Sequence, residues 1–322
     1  MWQYVVRRIF IGFWVLLGVS MIVYSLIRMA PVDYVSTITS GNPEVTQEMI
    51  DNLNELYGLN DSVPEGYAKW LGGVVQGDLG TSFVEKQPVA EVISSKMWYS
   101  FWMSFPAYIL QILIAIPLGV ISATKQYSKT DYAVTTIALM GMSLPSFFFA
   151  AILQRIFSQW LGILPLSGMK TARIDYEGFA LMLDMAKHLI LPVMVLTVLG
   201  IGGLMRYCRT NMLEVLNEDY IRTARAKGLS ENKVVYKHAF RNTLIPIVTI
   251  LGGMIPGLFA GAMITEGIFG IDGVGYTALN ALRSGDIPYI MGSTMFMATL
   301  TLIGTLVSDV LYGVVDPRVR LK

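Results

Sequence analysis

Six uncharged apolar runs, at 9–27, 97–124, 132–153, 189–205, 244–265 and 289–307, decide what this chain can become. A helix needs roughly 17–25 such residues to cross the hydrocarbon core, and every run qualifies. Inside lipid no water is available to pair backbone N–H and C=O groups, so each run must be helical. The sequence therefore predicts an all-α polytopic membrane protein with six transmembrane helices. Only 15% of its residues are charged, against about 25% in soluble domains.

The first run follows Arg7 and Arg8, as the core of a secretory signal would. It is 19 residues long and no small-x-small site closes it, so it reads as a retained span. With the N-terminus inside, that side collects Arg7 and Arg8, Lys125 and Lys129, eight Lys and Arg between Arg206 and Arg241, and Arg318, Arg320 and Lys322. These are fifteen of the 24 basic residues. The excess places both termini and the central basic loop in the cytoplasm.

Residues 30–96 then form an extracytoplasmic cap. "NPEVTQEMIDNLNELYGL" predicts a helix with Asn42 as N-cap, Pro43 at its first position and Gly58 past its end. Ile50, Leu53 and Tyr57 give it one apolar face. A second helix is expected over 67–75, before the turn-rich "GDLGTSF". The connection 154–187 is also external, and the glycine-rich 266–288 is expected to re-enter or hug the membrane.

In the central loop, "NEDYIRTARAKG" has the marks of a complete helix. Asn217 can cap it, Glu218 and Asp219 suit its positive start, and Arg225 and Lys227 suit its negative end. Gly228 supplies a left-handed stop, and Ser230 can cap a returning helix. Leu216, Tyr220 and Ala224 fall on one face, and Ala224 and Ala226 leave little bulk, as a helix seated in another protein's groove needs. The plainer alternative is a basic loop that sets topology and touches anionic lipid.

Catalytic chemistry is missing. No Gly-Lys dipeptide exists, so there is no Walker A loop, and no G-x-S-x-G elbow is present. The two histidines, His188 and His238, fall on opposite faces of the membrane, and Cys208 has no thiol partner. Glu266 and Asp309 lie near span ends; Asp309 reads as a structural cap or as the partner of a basic residue. Pro106, Pro117, Pro145 and Pro192 are places where a helix could open.

With these features in place, the chain resembles ABC importer permeases, in the form of the first permease subunit of the dipeptide/oligopeptide/nickel family. The likeness rests on "YVVRRI", "GDLGTS", "HLILP", "MLEVLNEDYIRTARAKGL", "ITEGIF" and "LYGVVDPRVR", spread along nearly the whole chain. In the cytoplasmic "EAA" loop of such permeases, Arg222, Thr223 and Ala224 take the leading positions and Gly228 the glycine. Arg241 stands where the wider family has a proline, "APVDY" replaces "PGDP", and "IDGVG" replaces "PGLG".

The resemblance implies a type I ABC importer permease fold with its first span in 1–29, its cap in 30–96 and a core in 97–322 that contains a coupling loop at 206–243. It implies inner-membrane residence in a bacterium or archaeon, and half of a pathway for di- or oligopeptides. The implied partners are a second, homologous permease, two cytoplasmic ATP-binding subunits, an extracytoplasmic solute-binding protein and the lipid bilayer, with no nucleic acid. ATP and Mg would bind those partners, and this chain would hold no cofactor. The residues expected to couple to the ATPases are Tyr220, Arg222, Thr223, Ala224, Arg225, Ala226, Gly228 and Leu229. Permeases for nickel chelates, glutathione or other small solutes are the nearest alternatives. An ion-coupled secondary transporter or a polytopic enzyme is more distant.

Overall fold

The computed structural model describes residues 2–31, 33–41 and 45–315. Among these residues the chain is helical, with one isolated bridge between Thr81 and Pro88. Helix α1 (Trp2–Arg28) exposes Ile9, Phe10, Phe13 and Trp14, the surface a lipid-facing span needs. Three short helices follow: α2 (Tyr34–Thr39), α3 (Gln47–Leu56) and α4 (Val63–Val75).

Helix α3 is capped by Thr46, whose hydroxyl accepts from the Met49 amide at 3.3 Å. It therefore starts later than expected, and Asn42 and Pro43 lie outside the described residues. Ile50, Leu53 and Tyr57 are half-buried along its inner face. Helix α4 begins at Val63, ahead of 67, because Pro64 suits a first helical turn. Arg28 ties this region to α1 by donating to the carbonyls of Leu59 (2.9 Å) and Asp61 (2.6 Å).

Helices α5 (Val89–Thr124) and α8 (Gly178–Leu216) pack along each other at the centre. They contain 36 and 39 residues. At 1.5 Å per residue each exceeds about 50 Å, well past a hydrocarbon core of about 30 Å. Both therefore project beyond the lipid, and the start of the basic segment, with Arg206 and Arg209, is a continuation of α8 and not loop. Pro106, Pro117 and Pro192 sit inside these helices without breaking them. A Cβ on Gly119 would stand 2.7 Å from that of Cys208, so the crossing depends on a missing side chain.

The run 132–153 is not one straight span. Helix α6 (Lys129–Ser143) stops, and α7 (Ser146–Leu153, continuing in π-helical turns to Trp160) leaves at 97°. Pro145 causes this: it has no N–H to donate, and Leu144 before it takes an extended ψ of 131°. After α9 (Asp219–Ala226), the run 244–265 also divides. It forms α10 (Phe240–Gly253, entered through π-helical turns at Lys233–Ala239), α11 (Ile255–Ala260) and the start of α12 (Met263–Phe269), with a 44° bend near Pro246. Helices α13 (Val274–Ser284) and α14 (Ile287–Val315) complete the chain as described. Four helices, α1, α5, α8 and α14, are each long and apolar enough to cross a membrane. The count is six if each bent pair is one span.

The glycine-rich stretch near 266–288 is firmly built. Glu266 is fully buried: its Oε2 accepts from the Tyr276 amide (2.7 Å) and its Oε1 from Ser100 Oγ (2.7 Å). That serine accepts in turn from the Val274 amide at 3.0 Å. The N-cap of α13 is Gly273, which has no side chain to cap with, so Glu266 and Ser100 satisfy the first-turn donors instead. Asp286 does the same for α14, accepting from the Tyr289 amide (3.2 Å) while it also holds Ser82 Oγ (2.5 Å) and the Val84 amide (3.1 Å).

Candidate functional site

The segment singled out by its charge and caps packs against the π-helical turns Lys233–Ala239 and shares one apolar cluster with α5, α8 and α10. Asn217, expected to start α9, closes α8 instead: its backbone is near-helical and its Nδ2 donates to the Leu213 carbonyl at 2.9 Å. Glu218, with extended backbone, takes the cap position of α9. Thr223 Oγ1 donates back to the Asp219 carbonyl at 2.9 Å.

The far end of α9 is a Schellman closure. The Gly228 amide donates to the Arg225 carbonyl (2.9 Å) and the Leu229 amide to the Ala224 carbonyl (3.4 Å). Gly228 holds φ at +76°, and a Cβ there would meet nothing within 4 Å, so backbone conformation alone demands the glycine. The Ser230 carbonyl then accepts from the Lys233 and Val234 amides and starts the returning helix.

The inward face of α9 is Ile221 and Ala224, with fractional exposures of 0% and 7%. They pack among Cys208, Met212, Val234, Val235 and Ile247. This corrects the expectation that Ala224 is an outward seat sharing a face with Tyr220: Ala224 is buried within its own chain, whereas Tyr220 is 45% exposed. The outward surface is Tyr220, Arg222, Thr223, Ala226 and Lys227, continued by Gly228 and Leu229 past the turn. Arg225 straddles that turn with a forked pair to Glu231, Nη2 to Oε1 at 2.7 Å and Nε to Oε2 at 3.2 Å. The guanidinium holds the Glu231 carboxyl below its ordinary range, and the carboxylate raises Arg225.

An ion pair between a half-buried arginine and a buried aspartate closes the same end of the bundle. Arg209 on α8 donates through Nε and Nη2 to both oxygens of Asp131 on α6, at 3.0 and 2.9 Å. Asp131 also accepts from Ser122 Oγ of α5 and from the Tyr127 amide (3.0 Å). Three helices thus share one satisfied carboxylate.

The family described as "Binding-protein-dependent transport system inner membrane component" matches residues 115–321, and its N-terminal companion matches 1–104. The chain belongs to this family. It is 41% identical over 318 residues to the oligopeptide transport system permease protein AppB of Bacillus subtilis, covering 98% of this chain and 99% of that one. It is 36% identical to the di/tripeptide transport system permease protein DppB of Pseudomonas aeruginosa, covering 99% of each chain. It is 33% identical to the dipeptide transport system permease protein DppB of Escherichia coli K12, covering all of both chains. Among solved structures, a chain of the inward-facing MetNI methionine ABC transporter aligns with a TM-score of 0.53 at 15% identity. That alignment covers 70% of this chain and 97% of that chain. The fold is that of a type I ABC importer permease, in a multi-pass inner-membrane protein.

Sequence reasoning missed three parts of this permease's site. Arg209 was grouped with the loop charges, yet it lies in α8 facing Asp131. Ser128, whose Oγ accepts from the Asp131 amide at 3.2 Å, was a visible N-cap three residues ahead of that aspartate. The second omission is Ile221, which anchors α9, and the third is Glu231, which braces the turn. Asp309 resolves to one of its two expected roles, an ion pair with Arg8 at 2.8 Å.

Proposed function

We propose that this permease forms half of an ATP-driven import pathway for di- and oligopeptides, coupled to a cytoplasmic ATP-binding subunit through α9 and its turn. The names of the relatives, at 33–41% identity over essentially their full lengths, support the cargo class. The observation that carries the coupling role is the division of α9. Two side chains root it in an apolar cluster shared with α5, α8, α10 and the turns before α10, and its remaining face stands outward at a positive-φ stop.

In this reading both termini and α9 are cytoplasmic, as the charge distribution favours. Residues 1–29, 30–96 and 97–322 act as first span, outer cap and core. A second, homologous permease completes the pathway, a binding protein delivers cargo, and two ATPases hold ATP and Mg while this chain holds no cofactor. Closure of the ATPases would displace α9. Because α9 packs on the turns that enter α10 and shares an apolar cluster with α8, a single unbroken helix, displacement would pass to the spans and switch access by differential contacts in two states.

The test separates seating from transmission. Gly228→Val places a β-branched residue at φ near +76°, a strain of about 1–3 kcal/mol, and leaves Tyr220, Arg222, Thr223 and Ala226 on the outward face of α9 in place. In the assembled complex we expect the ATPases still to co-purify while transported cargo per ATP falls. Wild-type coupling in that variant would remove α9 from the coupling path.

A further inference from the structure

Between α5, α8 and α11 lies a cleft of about 270 Å³ that no part of the coupling account uses. Its lining carries no charge: Ser104, Tyr108 and Gln111 supply polarity, and Gly200, Gly257 and Ala260 keep the walls low. A Cβ on Gly257 would stand 2.1 Å from Tyr108 Oη, and one on Gly200 would stand 2.3 Å from the Gln111 side chain. Both glycines therefore leave room for polar groups, not for apolar packing.

Those polar groups are short of partners. Ser104 and Gln111 are each only 4% exposed. Gln111 Nε2 donates to the Leu196 carbonyl at 2.9 Å, an assignment fixed by chemistry because only the amide nitrogen can donate there. Gln111 Oε1 is thereby left as an acceptor. Ser104 Oγ and Tyr108 Oη have no hydrogen-bond partner among the described residues. Two hydroxyl donors and one amide acceptor without protein partners line one cleft, and a ligand that supplies the complement would pair all three. An acceptor and a donor joined in one neutral group is the pattern of a secondary amide.

We propose that this cleft holds the peptide-bond amide of cargo in transit, its carbonyl oxygen accepting from Tyr108 and Ser104 and its N–H donating to Gln111 Oε1. The proposal rests on the peptide reading above. The volume is slightly under the roughly 300–1,000 Å³ of pockets that enclose drug-sized ligands, so the cleft takes part of the cargo. The peptide bond is the one feature that peptides of every sequence share, and an uncharged subsite that reads it is indifferent to side chains. Along α5, Trp98, Phe101 and Phe105 lead toward the cleft on one stripe, and Phe101 stacks on Phe259 of α11 at 5.3 Å. They offer side chains an apolar surface beside the amide subsite.

The experiment uses the complete transporter in proteoliposomes with saturating loaded binding protein, so that capture is not limiting. Uptake of a dipeptide is compared with its N-methylated analogue, which lacks the amide N–H. Tyr108→Phe and Gln111→Leu keep the bulk of the site, and ATP hydrolysis stimulated by the loaded binding protein checks assembly. Each should lower dipeptide uptake roughly two- to ten-fold, the effect of one lost hydrogen bond. The wild type should discriminate against the N-methyl analogue, and Gln111→Leu should abolish that discrimination. Wild-type uptake by both variants, or an N-methyl penalty unchanged in Gln111→Leu, would mean that the cleft holds only water. Failure of the wild-type complex to move any peptide would overturn the cargo reading, and the subsite with it.

Discussion

At the end of the bundle that carries α12 and α13, two buried carboxylates close helix N-termini and tie distant segments together: Glu266 with Ser100 and α13, Asp286 with Ser82, Val84 and α14. At the end that carries α9, the short helix is rooted by Ile221 and Ala224 and stopped by a glycine. Hydrogen bonds to a buried carboxylate are directional, and a small displacement leaves donors without partners. Apolar contacts are not directional, and a helix can roll on them at small cost. The first construction suits a part that must keep its shape, the second a part that must transmit motion. The Asp131–Arg209 pair brings the directional construction to the α9 end as well, where it locks α5, α6 and α8 together.

The comparison breaks most sharply at Ala224. With that side chain buried in the chain's own core, Ala224→Asp puts a carboxylate among Met212, Val234 and Val235. An unpaired buried charge costs several kcal/mol even after relaxation. The consequence is release of α9 from the bundle, visible in the purified permease without any ATPase as rapid proteolysis near 218–230. Ala226→Asp, on the exposed side, should leave proteolysis unchanged. Equal protease resistance in Ala224→Asp would show that α9 is not rooted by this face.

At the opposite end, Glu266→Ala deprives the Tyr276 amide and Ser100 of their acceptor. Each buried donor left unsatisfied costs about 1–3 kcal/mol, so the detergent-purified chain should lose several degrees of thermal stability. Glu266→Gln keeps an acceptor oxygen for α13 and should recover part of the loss. A melting temperature unmoved by Glu266→Ala would mean that α13 is capped by other means, and that the two ends do not differ as argued.

Much of this was legible from residues alone. Uncharged length marked the apolar runs, and the Asn-Glu-Asp and Lys-Gly patterns placed the ends of α9 within a residue, because caps are local chemistry. The direction of the chain after Pro145 was not legible: a proline can kink, break or simply sit in a helix, as Pro106, Pro117 and Pro192 do. Which bend results depends on the packing of α7 against α8 and α12. Partners across the fold were equally hidden. Arg209 meets Asp131 over 78 positions and Glu266 meets Ser100 over 166, and a charge in the sequence does not announce which helix will come to satisfy it. The inward face of α9 was misread for a related reason. A small residue fits an intermolecular groove or a tight internal crossing equally well, and only the neighbour Ile221, fully buried, tells which.

The finest difference between the two ends is electrostatic. Across the Gly228 turn, Arg225 and Glu231 are 43% and 61% exposed at their side chains, so water and salt screen the pair. Its worth is about 0–1 kcal/mol. Arg225 lowers the Glu231 pKa in the folded chain below its ordinary 4.5. The sign follows: the contribution is fully present above the unfolded value, near pH 4.5, and fades as pH falls through the depressed folded value. Glu231→Gln should therefore speed proteolysis at the turn slightly at pH 7, and the gap from wild type should close below pH 4.5. Raising salt at pH 7 should narrow the same gap, because the pair is exposed. A gap that persists unchanged into acid or high salt would show that Glu231 braces the turn by its shape and not by its charge.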